Sequence, residues 1–97
     1  MMPRIARIVG TGYPHHVVQR CNNRENVFLN RMDYERYLLF LAKYSEEKEA
    51  AILAYCLMPN HVHLLVTPSK EDSLARMMQG LSLCYTQYFN RKKDLKL

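Results

Sequence analysis

A mixed α+β fold built on an antiparallel sheet is the class this sequence predicts, and three observations carry it. Two long segments place apolar residues at three- and four-residue spacing, the period of an amphipathic helix. Two other runs, Tyr13–Arg20 and Ala50–Thr67, are rich in valine, isoleucine, leucine and tyrosine and read as strands. The second of these runs is split by Pro59-Asn60, a turn signal that makes it a hairpin.

Taken in order, Tyr13 to Arg20, "YPHHVVQR", reads as the first strand and "CNNREN" as the loop that closes it. An earlier segment, "RIARIV", is a candidate for one more short strand. Met32 to Glu49 is a helix with Tyr34, Tyr37, Leu38, Leu41 and Tyr44 on one stripe. Asn30 is its candidate N-cap, and Asp33 sets a negative charge in the first turn, where the helix dipole favours it. Ala50–Met58 and His61–Thr67 form the hairpin. A second helix runs from about Ser73 to Arg91, with the stripe Leu74, Met77, Met78, Leu81, Tyr85, Tyr88 and Phe89. Gly80 interrupts it at a cost of roughly 1 kcal/mol against alanine.

Strand, helix, strand, strand, helix is the ferredoxin-like (split βαβ) order short of its last strand, with both helices on one face of the sheet. That fourth strand would line one side of the first. Its absence predicts an open sheet edge, and with it a dimer or a strand-exchanged assembly.

Ninety-seven residues make one domain, 1–97. The 48% hydrophobic content excludes a disordered tail, and the longest apolar run is too short to span a bilayer. The reading is a soluble, cytoplasmic protein without a membrane partner. Cys21, Cys56 and Cys84 are an odd number, far apart and without a CxxC, which argues against a disulfide scaffold and for small buried or half-buried side chains. The net charge is +5, and its distribution says more than its size. Residues 1–31 hold five arginines against one glutamate, and 70–97 hold six basic residues against three acidic, ending in "NRKKDLK". Basic ends around a slightly acidic middle suit a phosphate-rich partner.

The chemistry concentrates in "YCLMPNHVHLLV", Tyr55 to Val66. Side chains alternate along a strand, so Val62, Leu64 and Val66 share the face that packs on the helices. His61, His63 and Leu65 share the other. The two imidazoles then stand about 7 Å apart at Cβ, within reach of one cation. Two ligands leave a site incomplete, so a third group or the substrate must finish it. A zinc site drawn from Cys56, His61 and His63 is the alternative, and it lacks a fourth ligand. His15 and His16 are adjacent and point to opposite faces, so at most one can join the pair, and the expectation is that neither does.

"AYCLMPNHVHLLV" resembles the signature of the HUH tyrosine transposases, in the branch of IS200-like and REP-associated enzymes, with His61-Val62-His63 matching the family's His-hydrophobic-His. "HVVQRCNNRENVFL" and "YTQYFNRKK" match as well, so the likeness spans nearly the whole chain. The resemblance implies a ferredoxin-like sheet that holds Mg2+ or Mn2+ through His61 and His63. The ion polarises the scissile phosphate of single-stranded DNA, and a tyrosine attacks to leave a 5′-phosphotyrosine link that is later rejoined. It further implies a homodimer that recognises DNA hairpins. Arg20, Arg24, Asn60, Arg91, Lys92 and Lys93 are the candidate DNA contacts, with a turn role for Asn60 as the plainer alternative.

The nucleophile is where the pattern departs. In the family it lies on a helix beyond the "YFNR" segment, with a further metal-binding group, and neither falls within these residues. The expectation is a C-terminally truncated transposase domain, able to bind metal and DNA and unable to cut unaided. Tyr85 and Tyr88 are the substitute candidates, although their place on an apolar stripe makes core packing their default. A binding-only module for single-stranded or hairpin DNA is the rival reading, and it would ordinarily stack bases on exposed aromatics of the sheet.

Overall fold

The computed structural model describes residues 2–4, 10–20 and 26–94. Its elements are β1 (Met2–Arg4), β2 (His15–Arg20), α1 (Arg31–Glu47), β3 (Ala50–Met58), β4 (His61–Pro68) and α2 (Ser73–Asp94). The strands form one sheet in the order β1-β2-β4-β3, and every neighbouring pair is antiparallel. With β2 as its first strand, this is the ferredoxin-like arrangement expected from the sequence.

One expectation is corrected at the sheet edge. The position flanking β2, where a fourth strand would lie, is taken by β1, which pairs Met2 with Arg20 and Arg4 with Val18. The open edge predicted beside β2 is therefore covered along those residues. The short strand expected at "RIARIV" begins earlier, at Met2, and residues 5–9 of that segment lie outside the described residues.

Both helices lie on one face because that is where the apolar stripes point. Val17 of β2 and Val62, Leu64 and Val66 of β4 are buried against Tyr37 and Leu41 of α1 and Leu74, Met77, Met78, Leu81 and Tyr85 of α2. Phe28, in the loop between β2 and α1, enters the same core. At roughly 1.5–3 kcal/mol for each such side chain buried, this layer is the main source of stability.

Two buried polar groups complete it. Gln19 of β2 is fully buried among apolar neighbours and accepts the Tyr37 hydroxyl at 2.9 Å while donating to Ser82 of α2. One side chain thereby links the sheet to both helices, and its amide has partners on both sides. Asp33, also fully buried, caps and ties the start of α1: Asn30 accepts from the Asp33 amide at 3.1 Å, as an N-cap should, while the Asp33 carboxylate accepts from the Leu29 amide at 2.8 Å.

Gly80 also finds its reason. A Cβ built there would stand 2.5 Å from Cε1 of Tyr44, so the glycine is what lets the two helices approach around that ring. α1 is capped by Lys48, followed by Glu49 in a left-handed conformation with φ 57°, the usual device for leaving a helix. Cys84 is half-buried as expected, whereas Cys56 is exposed, because β3 is an edge strand and its residue 56 faces away from the helices.

Candidate functional site

Residues paired across an antiparallel ladder share a face, so the register fixes what surrounds the two histidines. His61 stands opposite Arg20 of β2 and Met58 of β3. His63 stands opposite Val18 and Cys56, and Leu65 opposite His16 and Ala54. Because Val62, Leu64 and Val66 are buried under the helices, these residues form the helix-free face of the sheet.

The His61 and His63 rings lie with centroids 5.0 Å apart at 74° to each other. Each ring is held at Nδ1. The Nδ1–H of His61 donates to Oδ1 of Asn60 at 2.7 Å, which leaves the Nε2 lone pair of a neutral ring free. His63 Nδ1 lies 3.0 Å from His16 Nε2, with the two rings stacked at 5.2 Å and 14°. His16 thus joins the pair, against the expectation that neither residue 15 nor residue 16 would. His15 turns the other way and holds the loop ahead of β2: its Nδ1–H donates to the Tyr13 carbonyl at 2.7 Å, and its Nε2 accepts from the Gly10 amide at 3.2 Å.

Partial burial, then the neighbouring His61, His16 and Arg20 side chains, hold the His63 imidazole below its ordinary value of 6.5. At neutral pH it is uncharged, the form a metal ion requires. The donor set of the pair therefore fits a divalent ion bound through imidazole nitrogen. Cys56 faces His63 on the same surface, yet among the described residues no group of three histidine, cysteine or carboxylate side chains is assembled around one ion position.

The candidate DNA contacts divide between two places. Arg20 is exposed beside His61, and Asn60 sits at the β3–β4 turn in contact with it. Arg91 and Lys93 are exposed on α2, in the layer that covers the opposite face of the sheet, and the fold does not gather them with the histidines. Lys92 is corrected as a free cation: its ammonium is bound to both oxygens of buried Asp33, at 2.7 and 2.8 Å. Arg24 lies outside the described residues.

Tyr85 and Tyr88 follow their default. Tyr85 is buried among Phe28, Tyr37, Tyr88 and Phe89, and its hydroxyl donates to the Val27 carbonyl. Tyr88 donates to Asp33 at 2.7 Å, and burial followed by that carboxylate raises its hydroxyl above the ordinary 10.0. Both hydroxyls are thus turned into the helix layer, on the side of the sheet away from His61 and His63.

Sequence reasoning missed His16. "PHHVV" has apolar residues at both parities after the histidines, so only the register with β4 tells which imidazole faces His63.

No helix of the described residues is long and apolar enough to cross a membrane. The family model described as "Transposase IS200 like" matches residues 11–96. No curated protein and no solved structure matches the chain. The match takes in both strands that carry the histidines and both helices, and the chain belongs to the IS200-like transposase family.

Proposed function

We propose that this domain serves the metal-dependent cleavage and rejoining of single-stranded DNA, with Mg2+ or Mn2+ held by Nε2 of His61 and Nε2 of His63. One observation carries this reading: both rings stand together on the helix-free face, with centroids 5.0 Å apart and each Nδ1 in a side-chain hydrogen bond, so that Nε2 is the nitrogen left over for a cation. When bound, such an ion polarises a phosphate oxygen at the scissile position. Arg20 beside His61 supplies a fixed positive charge for a flanking phosphate, and Asn60 orients His61. Arg91 and Lys93, on the helix layer, suit a second contact along a hairpin stem.

In the cleavage step a tyrosine hydroxyl gives up its proton as its oxygen bonds to phosphorus, and the bond from phosphorus to the 3′ oxygen breaks. That oxygen takes up a proton and leaves as a hydroxyl, and the 5′-phosphotyrosine keeps the bond energy for the reverse step. With Tyr85 and Tyr88 turned into the helix layer, this reading takes the attacking tyrosine from outside this chain. The same two hydroxyls favour a second reading, in which this polypeptide alone binds single-stranded or hairpin DNA without cutting it. A homodimer formed by strand pairing would use the outer edge of β3, the strand that ends the sheet opposite β1.

A trapping assay tests this. The 97-residue chain is incubated with end-labelled hairpin DNA and Mn2+ and run on denaturing and native gels. A native shift that needs His61 and His63, without a denaturation-resistant band, is the expected result. A metal-dependent covalent band places the nucleophile inside the chain, and loss of neither signal on replacing both histidines refutes the metal reading.

A further inference from the structure

We infer that His16 is a positioning residue for His63, accepting its Nδ1 proton so that Nε2 is the nitrogen presented to a cation. The inference rests on the reading of His61 and His63 as ligands and adds a residue that this reading did not contain.

Distance along the sheet decides between a ligand and a partner of a ligand. His16 is paired with Leu65, and His61 lies four residues from Leu65 along β4, roughly 13 Å at the usual rise. His63 lies between them. Two imidazoles bound to one ion at about 2.1 Å cannot easily be drawn from positions so far apart. His63, by contrast, is the diagonal neighbour of His16, a separation that long side chains bridge. The rings do bridge it, stacked at 5.2 Å with Nε2 of His16 3.0 Å from Nδ1 of His63.

The direction of that hydrogen bond has a chemical consequence. A neutral imidazole carries one proton. If His63 donates from Nδ1, its Nε2 is a bare lone pair; if His16 donates instead, the proton of a neutral His63 sits on Nε2 and blocks it. Asn60 Oδ1 can only accept, so it already fixes the first arrangement at His61. His16 does for His63 what Asn60 does for His61, from a neighbouring strand rather than a neighbouring residue. Both histidines then present the same nitrogen. A ligand imidazole whose other nitrogen is anchored in this way is better oriented and more basic.

The stacked ring and the accepting nitrogen can be separated by substitution. His16→Phe keeps a ring over His63 and removes the acceptor, while His16→Gln removes the ring and restores an acceptor. Residue 16 is exposed, so neither change disturbs the core. The first readout is the tautomer of His63 in the metal-free full chain, from long-range 1H–15N correlations of its ring, in a protein with only four histidines to assign. The second is Mn2+ affinity, from the EPR signal of the free ion. The expected result is His63 protonated at Nδ1 in the wild type, loss of that preference in His16→Phe with Mn2+ affinity reduced ~10-fold, and recovery of both in His16→Gln. A wild-type His63 protonated at Nε2, or a His16→Phe protein with unchanged tautomer and affinity, overturns the inference alone. His63→Ala with unchanged Mn2+ affinity overturns the underlying metal reading and this inference with it.

Discussion

The Nδ1–H of His61 is bound by the side-chain oxygen of its own predecessor, Asn60, at 2.7 Å. A turn residue thereby aims the ring that follows it. Among the described non-glycine residues only Glu49 has a positive φ, so the backbone at position 60 makes no demand that alanine cannot meet. Asn60→Ala is expected to weaken Mn2+ binding ~10-fold while moving stability by less than ~1 kcal/mol. Asn60→Asp, which keeps an acceptor, should retain the affinity. Calorimetric titration with Mn2+ and a thermal melt of each variant check both halves, and an alanine variant that binds as the wild type does would remove the orienting role.

Arg20 is exposed on the helix-free face, opposite His61. If it contacts a phosphate of single-stranded DNA, Arg20→Ala lowers affinity for every sequence about equally. It also reduces the slope of log affinity against log salt by ~0.7. Fluorescence anisotropy with a labelled strand at several salt concentrations measures that slope. An unchanged slope would mean that the charge next to His61 is solvated rather than paired with the backbone.

The fold class was legible because its signals are local and redundant. The stripes of α1 and α2 and the alternation through Val62, Leu64 and Val66 each point to one face, and the residues named in them are either in the buried core or packed against it. The His61–His63 pair was legible for the same reason, since parity along one strand needs no knowledge of a neighbour. What escaped the sequence are relationships between strands and helices. His16 could be assigned to the histidine face only from its register with β4. Lys92 looked like a third member of a basic cluster, and only the packing of α2 on α1 reveals that it answers the charge of Asp33. Gln19 gave no hint of burial, because a polar residue in a strand ordinarily marks the solvent side.

Gly80 shows the same limit in energetic form. On helix propensity alone, Gly80→Ala should stabilise α2 by about 1 kcal/mol. The added methyl would meet the Tyr44 ring at 2.5–3.0 Å, and that ring is fastened by its hydroxyl to Cys84 Sγ at 3.0 Å. Overpacking of this kind costs about 1–3 kcal/mol. The expected net effect is destabilisation by ~1 kcal/mol in urea denaturation, with recovery in the double variant that also carries Tyr44→Leu. A more stable single variant would show that the two helices can separate at little cost.

Lys92 and Asp33 fasten the end of α2 to the start of α1, with Tyr88 and the Leu29 amide on the same carboxylate. Burial by itself would raise the Asp33 carboxyl. The Lys92 ammonium, the Leu29 amide and the Tyr88 hydroxyl together bring it below its ordinary 3.8. A carboxyl depressed in the folded state makes a contribution that is complete above its unfolded value and is lost as pH falls through the folded one. Asp33→Asn keeps most of the shape but leaves the Lys92 ammonium, only 26% exposed, without its counter-charge. The expected loss is about 2–3 kcal/mol at pH 7, at or just below the range for a broken buried pair because Lys92 still reaches some water. Below the ordinary carboxyl value the unfolded wild type takes up a proton at Asp33, and below the depressed one the folded protein does too, so the gap between the two proteins should narrow as pH falls toward 2. Urea denaturation of both proteins at pH 7 and at pH 3 measures it. Equal stability at pH 7 would show that the hydrogen bonds matter and the charge does not, and a gap independent of pH would mean that Asp33 titrates at its unfolded value.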